Sequence, residues 1–238
     1  MARLLQIAHD HLSPAGAVAD QFVQRGYDIT ELLVVPEERF ADPGVDVVFP
    51  DPTCYDAVML LGAPWSAYAA DVACWVELEV EMLRSADRAG VPVLGICFGG
   101  QLLAAAHGAG VHAAPVPEIG WHLVHSDDPV LDGAWFQWHY DRWATPPGAV
   151  ELARTAAASQ AFTLRRNLAL QFHPEVDAAV IKSWMGNGGH QMAIDAGLDP
   201  DVILIQSEPL EADAATRARR LVDTFLDRIV VAPHRETT

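Results

Sequence analysis

The sequence is poor in positive charge. Its 238 residues contain 15 lysine and arginine side chains against 32 aspartate and glutamate side chains, a formal net charge of −17 at pH 7. A surface with this excess of negative charge repels a phosphate backbone. We therefore expect no nucleic-acid partner.

Cysteine is also scarce. The three cysteines are an odd number and lack the spacing of metal ligands, which argues against a disulfide framework and favours a reducing compartment. The N-terminal stretch has one arginine and an apolar run that glutamine and histidine interrupt, too short for the core of a secretory signal. These observations predict a cytoplasmic protein.

A long uninterrupted apolar segment is missing too. The stretch between Arg88 and Glu118 carries no acidic, lysine or arginine side chain, but prolines, several glycines, Gln101 and two histidines interrupt it. A membrane-spanning helix needs about 20 consecutive, predominantly apolar residues. We expect no membrane partner.

The first half of the chain alternates apolar strand-like runs with amphipathic helical segments. About half of all residues are apolar, enough for the core of one large domain covering residues 1–238. Strands are expected at 4–8, 27–35, 56–62 and just before Cys97, and helices at 15–25, 71–89 and directly after Cys97. Repeated strand–helix units predict an α/β fold with a doubly wound, mostly parallel central sheet and flanking helices.

The second half is rich in short strands, without helices between them. They are expected at 111–124, 135–143, 150–153, 162–165 and 168–172, and they predict an additional antiparallel section. A helix at 178–185 is expected to stop at the run GNGG. A last helix is expected at about 208–230.

The central candidate for chemistry is Cys97, in the run VPVLGICFGGQ at residues 91–101. A buried strand, a sharp turn and a helix start meet there, with Gly95 and Gly99 leaving room for the turn. A cysteine at such an elbow is presented above the sheet edge, and the helix N-terminus favours the thiolate. We interpret Cys97 as a nucleophile rather than as a packing residue.

A base for this thiol is predicted in the run HPE. His173 and Glu175 are two residues apart, so in an extended segment both side chains leave from the same side, and Pro174 favours that extended conformation. Glu175 could orient one imidazole nitrogen while the other takes the thiol proton. His139 is the rival base, but it lacks a carboxylate at the same spacing.

The motif GICFGGQ followed by HPE resembles the class I glutamine amidotransferases, the Cys-His-Glu family typified by the glutaminase domain of GMP synthase. The resemblance covers nearly the whole chain and implies a flavodoxin-like fold. In that family the cysteine attacks the side-chain amide of glutamine, a γ-glutamyl thioester forms, ammonia leaves and water frees glutamate. The resemblance places these roles on Cys97, His173 and Glu175.

The resemblance also implies the surrounding site. The oxyanion hole would use backbone N–H groups at Phe98 and at Gly62, the latter in the turn LLGAPWS, where Ala63 replaces the family's more usual second glycine. Substrate-binding residues would be Gln101, Trp138 and His139. Neither a metal nor a cofactor is expected, and the acidic pair at 127 and 128 before a proline is typical of a turn.

Three functions remain open from the sequence. The first is a stand-alone glutaminase that passes ammonia to a separate synthetase subunit. The second is a hydrolase of γ-glutamyl peptides or conjugates that uses the same three residues. The third is a non-enzymatic binding or stress protein with an elbow cysteine, which the presence of the HPE run disfavours.

Overall fold

The computed structural model describes residues 1–230. Its strands are β1 (Ala2–Ala8), β2 (Tyr27–Leu33), β3 (Ala57–Leu60), β4 (Val93–Ile96), β5 (Val111–Ser126), β6 (Gly133–Trp143), β7 (Val150–Arg154), β8 (Ser159–Leu164) and β9 (Asn167–Leu170). Its α-helices are α1 (Gly16–Gln24), α2 (Ala73–Ala89), α3 (Phe98–Ala106), α4 (Ala178–Trp184), α5 (His190–Asp195) and α6 (Pro200–Phe225). The expectation of one domain over 1–238 stays a prediction, and its last eight residues lie outside the described part.

The nine strands form one sheet in the order β2-β1-β3-β4-β9-β8-β7-β5-β6. The five strands from β2 to β9 are parallel neighbours, and each later pairing is antiparallel. The parallel half has the doubly wound order of flavodoxin-like proteins. The predicted α/β fold, with its parallel sheet and antiparallel section, is confirmed.

Burial on both faces explains the apolar runs at the centre of the sheet. Every residue of β3, β4 and β9 is buried, as expected where helices cover both faces of parallel strands. The adjacent residues Leu4 and Leu5 point to opposite faces. Leu4 packs in a cluster with Phe22 of α1 and Phe225 of α6, whereas Leu5 packs in a second cluster with Trp75 of α2.

One predicted helix boundary needs correction, and one short helix was not predicted. Helix α6 begins at Pro200 rather than near 208, because the Asp199 side chain caps it and the helix continues through Pro209. The run GNGG does interrupt α4, through non-helical backbone at Asn187 and Gly188, but the chain then resumes as the unpredicted short helix α5. No helix within residues 1–230 is long and apolar enough to cross a bilayer.

The carboxyl ends of four neighbouring strands, β1, β3, β4 and β9, define one edge of the sheet. The residues that follow these strands include His9, Gly62, Cys97 and His173 in turn. Ligands of open α/β sheets bind outside the carboxyl ends of the strands. The fold therefore gathers chemically capable side chains from four separate parts of the chain at one place.

Candidate active site

Cys97 occupies a sharp turn between β4 and α3. Its backbone has φ 50° and ψ −106°, a conformation that non-glycine residues rarely adopt. A Cβ on Gly99 would lie 2.5 Å from Cβ of Leu60, and one on Gly95 would lie 2.6 Å from the carbonyl oxygen of Gly99. The two glycines thus let α3 start directly against β3 and β4, as the sequence predicted.

His173 and Glu175 form the hydrogen-bonded pair expected from the HPE run. Nδ1 of His173 lies 2.6 Å from Oε1 of Glu175, and both residues are buried. The backbone N–H of His173 donates to the carbonyl of Phe136, and the Trp184 ring packs against the imidazole edge to face. These contacts fix the direction of the ring.

The other imidazole nitrogen is free, and the cysteine is close to the ring. Nε2 of His173 has no hydrogen-bond partner within residues 1–230, and a Cβ on Gly62 would lie near both the ring and Cβ of Cys97. Burial lowers the pKa of His173, but the Glu175 carboxylate and the neighbouring Cys97 outweigh it and raise that pKa to about 10. At neutral pH the imidazole is therefore protonated and charged.

The predicted oxyanion residues lie on either side of the thiol. A Cβ on Gly62 would be 3.0 Å from Cε1 of His173 and 3.7 Å from Cβ of Cys97, so a side chain there would press against the imidazole. Phe98 begins α3 directly after Cys97. The backbone N–H groups of Gly62 and Phe98 have no backbone acceptor within the described chain.

A buried ion pair that the sequence did not indicate supports the Gly62 turn. His9 follows β1, and its Nε2 lies 3.0 Å from Oε1 of Glu79 in α2, with both side chains wholly buried. Nδ1 of His9 lies 3.1 Å from the carbonyl oxygen of Gly62. Burial lowers the pKa of His9, but the Glu79 carboxylate outweighs this and raises it overall.

The three predicted substrate-binding residues line one cavity with the thiol. We call it the thiol cavity; its volume is about 180 Å³. Its lining comprises Ala63, Pro64, Trp65, Ser66, Cys97, Phe98, Gln101, Trp138, His139, Tyr140, Asp141 and Met192. The structure therefore brings Gln101, Trp138 and His139 together beside Cys97.

His139, the rival base, has other partners. Its Nδ1 lies 2.9 Å from the carbonyl oxygen of Asp141, and its Nε2 lies 3.2 Å from Oε2 of Glu118. Burial raises the pKa of Glu118, but His139 outweighs this and lowers it overall. Nδ1 of His139 is thus engaged by Asp141, and Nε2 lies beside the Glu118 carboxylate without a hydrogen bond within the described chain.

Sequence reasoning missed two further residues of this region. The Asp141 carboxylate accepts hydrogen bonds from Ser66, at 2.5 Å, and from Tyr68, at 2.7 Å, and it lines the thiol cavity. Nε2 of Gln171 lies 3.6 Å from the Cys97 sulfur. The sequence did hold one signal for these two residues: Asp141 lies two residues from His139, and Gln171 lies two residues from His173.

A second cavity, which we call the imidazole cavity, lies on the other side of the site. Its volume is about 90 Å³. It is lined by Asp10, Leu12, Ser13, Phe40, Gly62, Ala63, Pro64, Trp138, His173, Trp184, Asn187, Gly189 and Met192. Ala63, Pro64, Trp138 and Met192 line both cavities, so the two are adjacent.

Comparison with known families decides the kind of protein. Residues 17–192 match the family model described as glutamine amidotransferase class-I. The chain belongs to the class-I glutamine amidotransferase family. The resemblance seen in the sequence is confirmed, and the non-enzymatic alternative gives way to an amide-hydrolysing enzyme family.

The relatives of this glutamine amidotransferase include two glutamine-hydrolysing synthases. The chain is 41% identical over 129 residues to "GMP synthase [glutamine-hydrolyzing]" of Thermomicrobium roseum and 34% identical over 131 residues to that of Yarrowia lipolytica. Each match covers 50% of this chain but only 23% of the relative. The chain thus matches about a quarter of the length of these relatives.

Solved structures extend the likeness over the whole chain. A glutamine amidotransferase from Thermotoga maritima is 26% identical with a TM-score of 0.80, over 97% of this chain and 99% of that one. A glutamine amidotransferase from Methylobacillus flagellatus has a TM-score of 0.82 at 23% identity, over 100% and 99% of the two chains, and supports the fold alone.

Proposed function

We propose that this amidotransferase hydrolyses the γ-amide of glutamine through a γ-glutamyl thioester on Cys97. One observation carries the proposal: the His173 ring is held by Glu175 at 2.6 Å, its other nitrogen is free, and Cys97 is close to the ring. This is the arrangement of orienting carboxylate, base and nucleophile that activates a thiol.

The proposed reaction has two halves. The Cys97 sulfur attacks the γ-carbonyl carbon, the carbon–nitrogen bond breaks, and His173 gives its proton to the departing ammonia. In the second half His173 takes a proton from water, the water oxygen adds to the thioester carbon, and the carbon–sulfur bond breaks. Glutamate leaves, and the thiol and imidazole return to their starting state.

The negative charge that develops on the carbonyl oxygen needs hydrogen-bond donors. We assign this role to the backbone N–H of Phe98 and to the turn at Gly62, which lie on two sides of Cys97. A preorganised donor of this kind is worth about 100-fold or more in kcat. The start of α3 adds the positive end of a helix dipole.

The thiol cavity is the proposed glutamyl site. Gln101, Trp138 and His139 line it, as does Asp141, the fixed negative charge suited to the α-amino group of glutamine. Its volume of about 180 Å³ accommodates a small amino acid rather than a nucleotide.

The fate of the ammonia is part of the proposal. The relatives named "GMP synthase [glutamine-hydrolyzing]" are about four times as long as the part that matches this chain. We infer that this chain supplies ammonia to a separate synthetase subunit. Comparing glutaminase activity with and without a co-purifying synthetase tests this, and an activity that no partner changes contradicts it.

The thioester is tested by labelling with diazo-oxo-norleucine, an electrophilic glutamine analogue. We expect one covalent adduct on the wild-type chain and none on Cys97→Ala. The exposed cysteines Cys54 and Cys74 provide matched controls, because Cys54→Ala and Cys74→Ala should label like the wild type. Labelling that persists in Cys97→Ala would refute the assignment.

A second candidate function, hydrolysis of γ-glutamyl conjugates, uses the same three residues. One observation favours it: His173 borders a cavity that Cys97 does not line. Steady-state kinetics on glutamine and on a panel of γ-glutamyl amides separates the two functions. Turnover confined to the conjugates would exclude the glutaminase.

A further inference from the structure

The thiol and the imidazole of the proposed site border different cavities. Cys97 lines the thiol cavity but not the imidazole cavity, and His173 lines the imidazole cavity but not the thiol cavity. Gly62, in the turn beside Cys97 and His173, also lines the imidazole cavity. The reacting carbonyl group would therefore sit where the two cavities meet.

Proton transfer determines which half of an amide enters each cavity. The nitrogen that leaves must come within hydrogen-bond reach of the group that protonates it, which is Nε2 of His173 under the proposed function. This nitrogen atom is buried and has no other partner in the described chain. A substituent on the leaving nitrogen would therefore extend into the imidazole cavity, while the glutamyl half occupies the thiol cavity.

The walls of the imidazole cavity are mainly apolar. The rings of Phe40, Trp138 and Trp184 line it, together with aliphatic and backbone groups, and its described lining contains no lysine or arginine. Its one carboxylate, Asp10, already accepts hydrogen bonds from the Leu12 N–H and the Ser13 hydroxyl. The His173 ring in the wall is already paired with the Glu175 carboxylate, so the walls favour an uncharged apolar group and disfavour a further carboxylate.

The size of the cavity indicates the size of the substituent. Its volume of about 90 Å³ is smaller than the ~150 Å³ cavity that binds benzene in another protein. Ammonia alone would leave most of it empty. A branched group of three or four carbons matches it better.

We propose that this enzyme cleaves N-substituted γ-glutamyl amides whose amine carries a short apolar group. The inference rests on the proposed function and names its substrate class. Cys97 forms the same thioester, the carbon–nitrogen bond breaks, and His173 protonates the departing amine. Water then releases glutamate, so the products are glutamate and a free alkylamine.

Two compounds of matched shape test the substrate class on the wild-type chain. γ-Glutamyl isobutylamide and γ-glutamylglycine carry a branched group after one methylene, an isopropyl group in the first and a carboxylate in the second. Glutamate is the common product of these two compounds and of glutamine, so its release gives kcat/KM values that can be compared directly for all three substrates. We expect the isobutylamide to exceed γ-glutamylglycine by about tenfold or more, and to exceed glutamine, since each well-placed methylene adds up to about that factor.

A pair of phenylalanine substitutions tests where the group binds. Phe40 lines the imidazole cavity, whereas the half-buried Phe49 lines neither cavity. In Phe40→Ala we expect the ratio of kcat/KM for the isobutylamide to that for glutamine to fall about tenfold. In Phe49→Ala the same ratio should match the wild type, and equal ratios in all three chains would overturn the assignment of the cavity.

The outcomes separate this inference from the function on which it rests. Hydrolysis of glutamine with no turnover of the isobutylamide would overturn the inference and leave the glutaminase intact. A preference for γ-glutamylglycine over the isobutylamide would also overturn it. Absence of turnover of all three compounds, together with no labelling of Cys97, would instead overturn the proposed function.

Discussion

Nδ1 of His9 lies 3.1 Å from the carbonyl oxygen of Gly62. A carbonyl only accepts hydrogen bonds, so this imidazole nitrogen carries a proton and donates. The Gly62 carbonyl belongs to the same peptide unit as the Ala63 N–H, and in a trans peptide the two groups point in opposite directions. His9 therefore holds the Gly62–Ala63 peptide in place, directly after the Gly62 N–H that we assign to the oxyanion hole.

The first prediction separates His9 as a positioning residue from His9 as a packing residue. In His9→Asn the side-chain amide can take the place of Nδ1 and donate to Gly62, whereas in His9→Gln it reaches the place of Nε2, near Glu79. We expect kcat for glutamine to stay within about fivefold in the first variant and to fall about 100-fold in the second, the scale of one oxyanion donor. KM should change little.

Alkylation of Cys97 by iodoacetamide is the control for both His9 variants, because that reaction needs the thiol but no oxyanion hole. Both should keep the wild-type alkylation rate. Both variants also lose the imidazole contacts with Trp75 and Phe98. An equal loss of kcat in the two would show that His9 acts only through packing.

The second prediction concerns the charge of His173. Its pKa is raised to about 10 because the Glu175 carboxylate and the neighbouring Cys97 outweigh the burial that lowers it. The ring should therefore remain protonated from pH 6 to beyond pH 8 and lose its proton only as the pH rises through about 10. A carbon-13 NMR titration of the imidazole measures this.

Glu175→Gln gives the comparison for that titration. Removing the carboxylate takes away the largest cause that raises the pKa, so deprotonation of His173 should move to lower pH. The exposed His11 ring provides an internal reference in both chains. An unchanged His173 titration in Glu175→Gln would contradict the electrostatic role of the carboxylate.

The third prediction concerns Gln171, whose Nε2 lies 3.6 Å from the Cys97 sulfur. Gln171→Leu removes this donor, and a hydrogen bond is worth about 0.5–1.5 kcal/mol. We expect alkylation of Cys97 by iodoacetamide to slow by up to about tenfold. Gln21→Leu is the matched control, because Gln21 bonds to Asp223 away from the site, and its rate should equal the wild-type rate.

The fourth prediction concerns the close packing of Gly99 against Leu60, next to the turn that holds Cys97. In Gly99→Ala the new Cβ would lie 2.5 Å from Cβ of Leu60 and 2.7 Å from its carbonyl oxygen, so α3 must shift. We expect the free energy of unfolding to fall by about 1–3 kcal/mol and kcat to fall with it. Denaturant unfolding measures the first and a glutaminase assay the second.

Gly186 provides the control for that substitution. No heavy atom lies within 4 Å of a Cβ built on it. Gly186→Ala should therefore change the free energy of unfolding by no more than about 0.5 kcal/mol, as surface substitutions usually do. A similar loss of stability in both variants would show that the close approach at Leu60 has no special cost.

Several elements were predictable because their cause is local. The apolar runs of β3 and β4, the helical spacing in α2 and the left-handed Gly90 that ends it all lie within a few residues of the position they determine. The His173–Glu175 contact is local in the same way, since two side chains two apart on an extended segment leave from one side.

Helix α6 shows where local reasoning fails. Proline lacks an N–H and is disfavoured in a helix interior. Because of Pro209, the prediction started this helix near 208 and missed its first two turns. In the folded chain Ile203 packs among apolar residues, and Ser207 accepts a hydrogen bond from the Trp121 indole. These contacts come from distant strands and stabilise the segment that precedes the proline.

The sequence by itself determined the fold class, the cysteine elbow and the His173–Glu175 pair, because spacing within about ten residues specifies them. Only the tertiary structure decided which distant groups meet. Pairing of β4 with β9 brings His173 to Cys97, and docking of α2 brings Glu79 to His9, 70 residues away. Strand order and helix packing depend on burial across the whole chain, and no short motif encodes them.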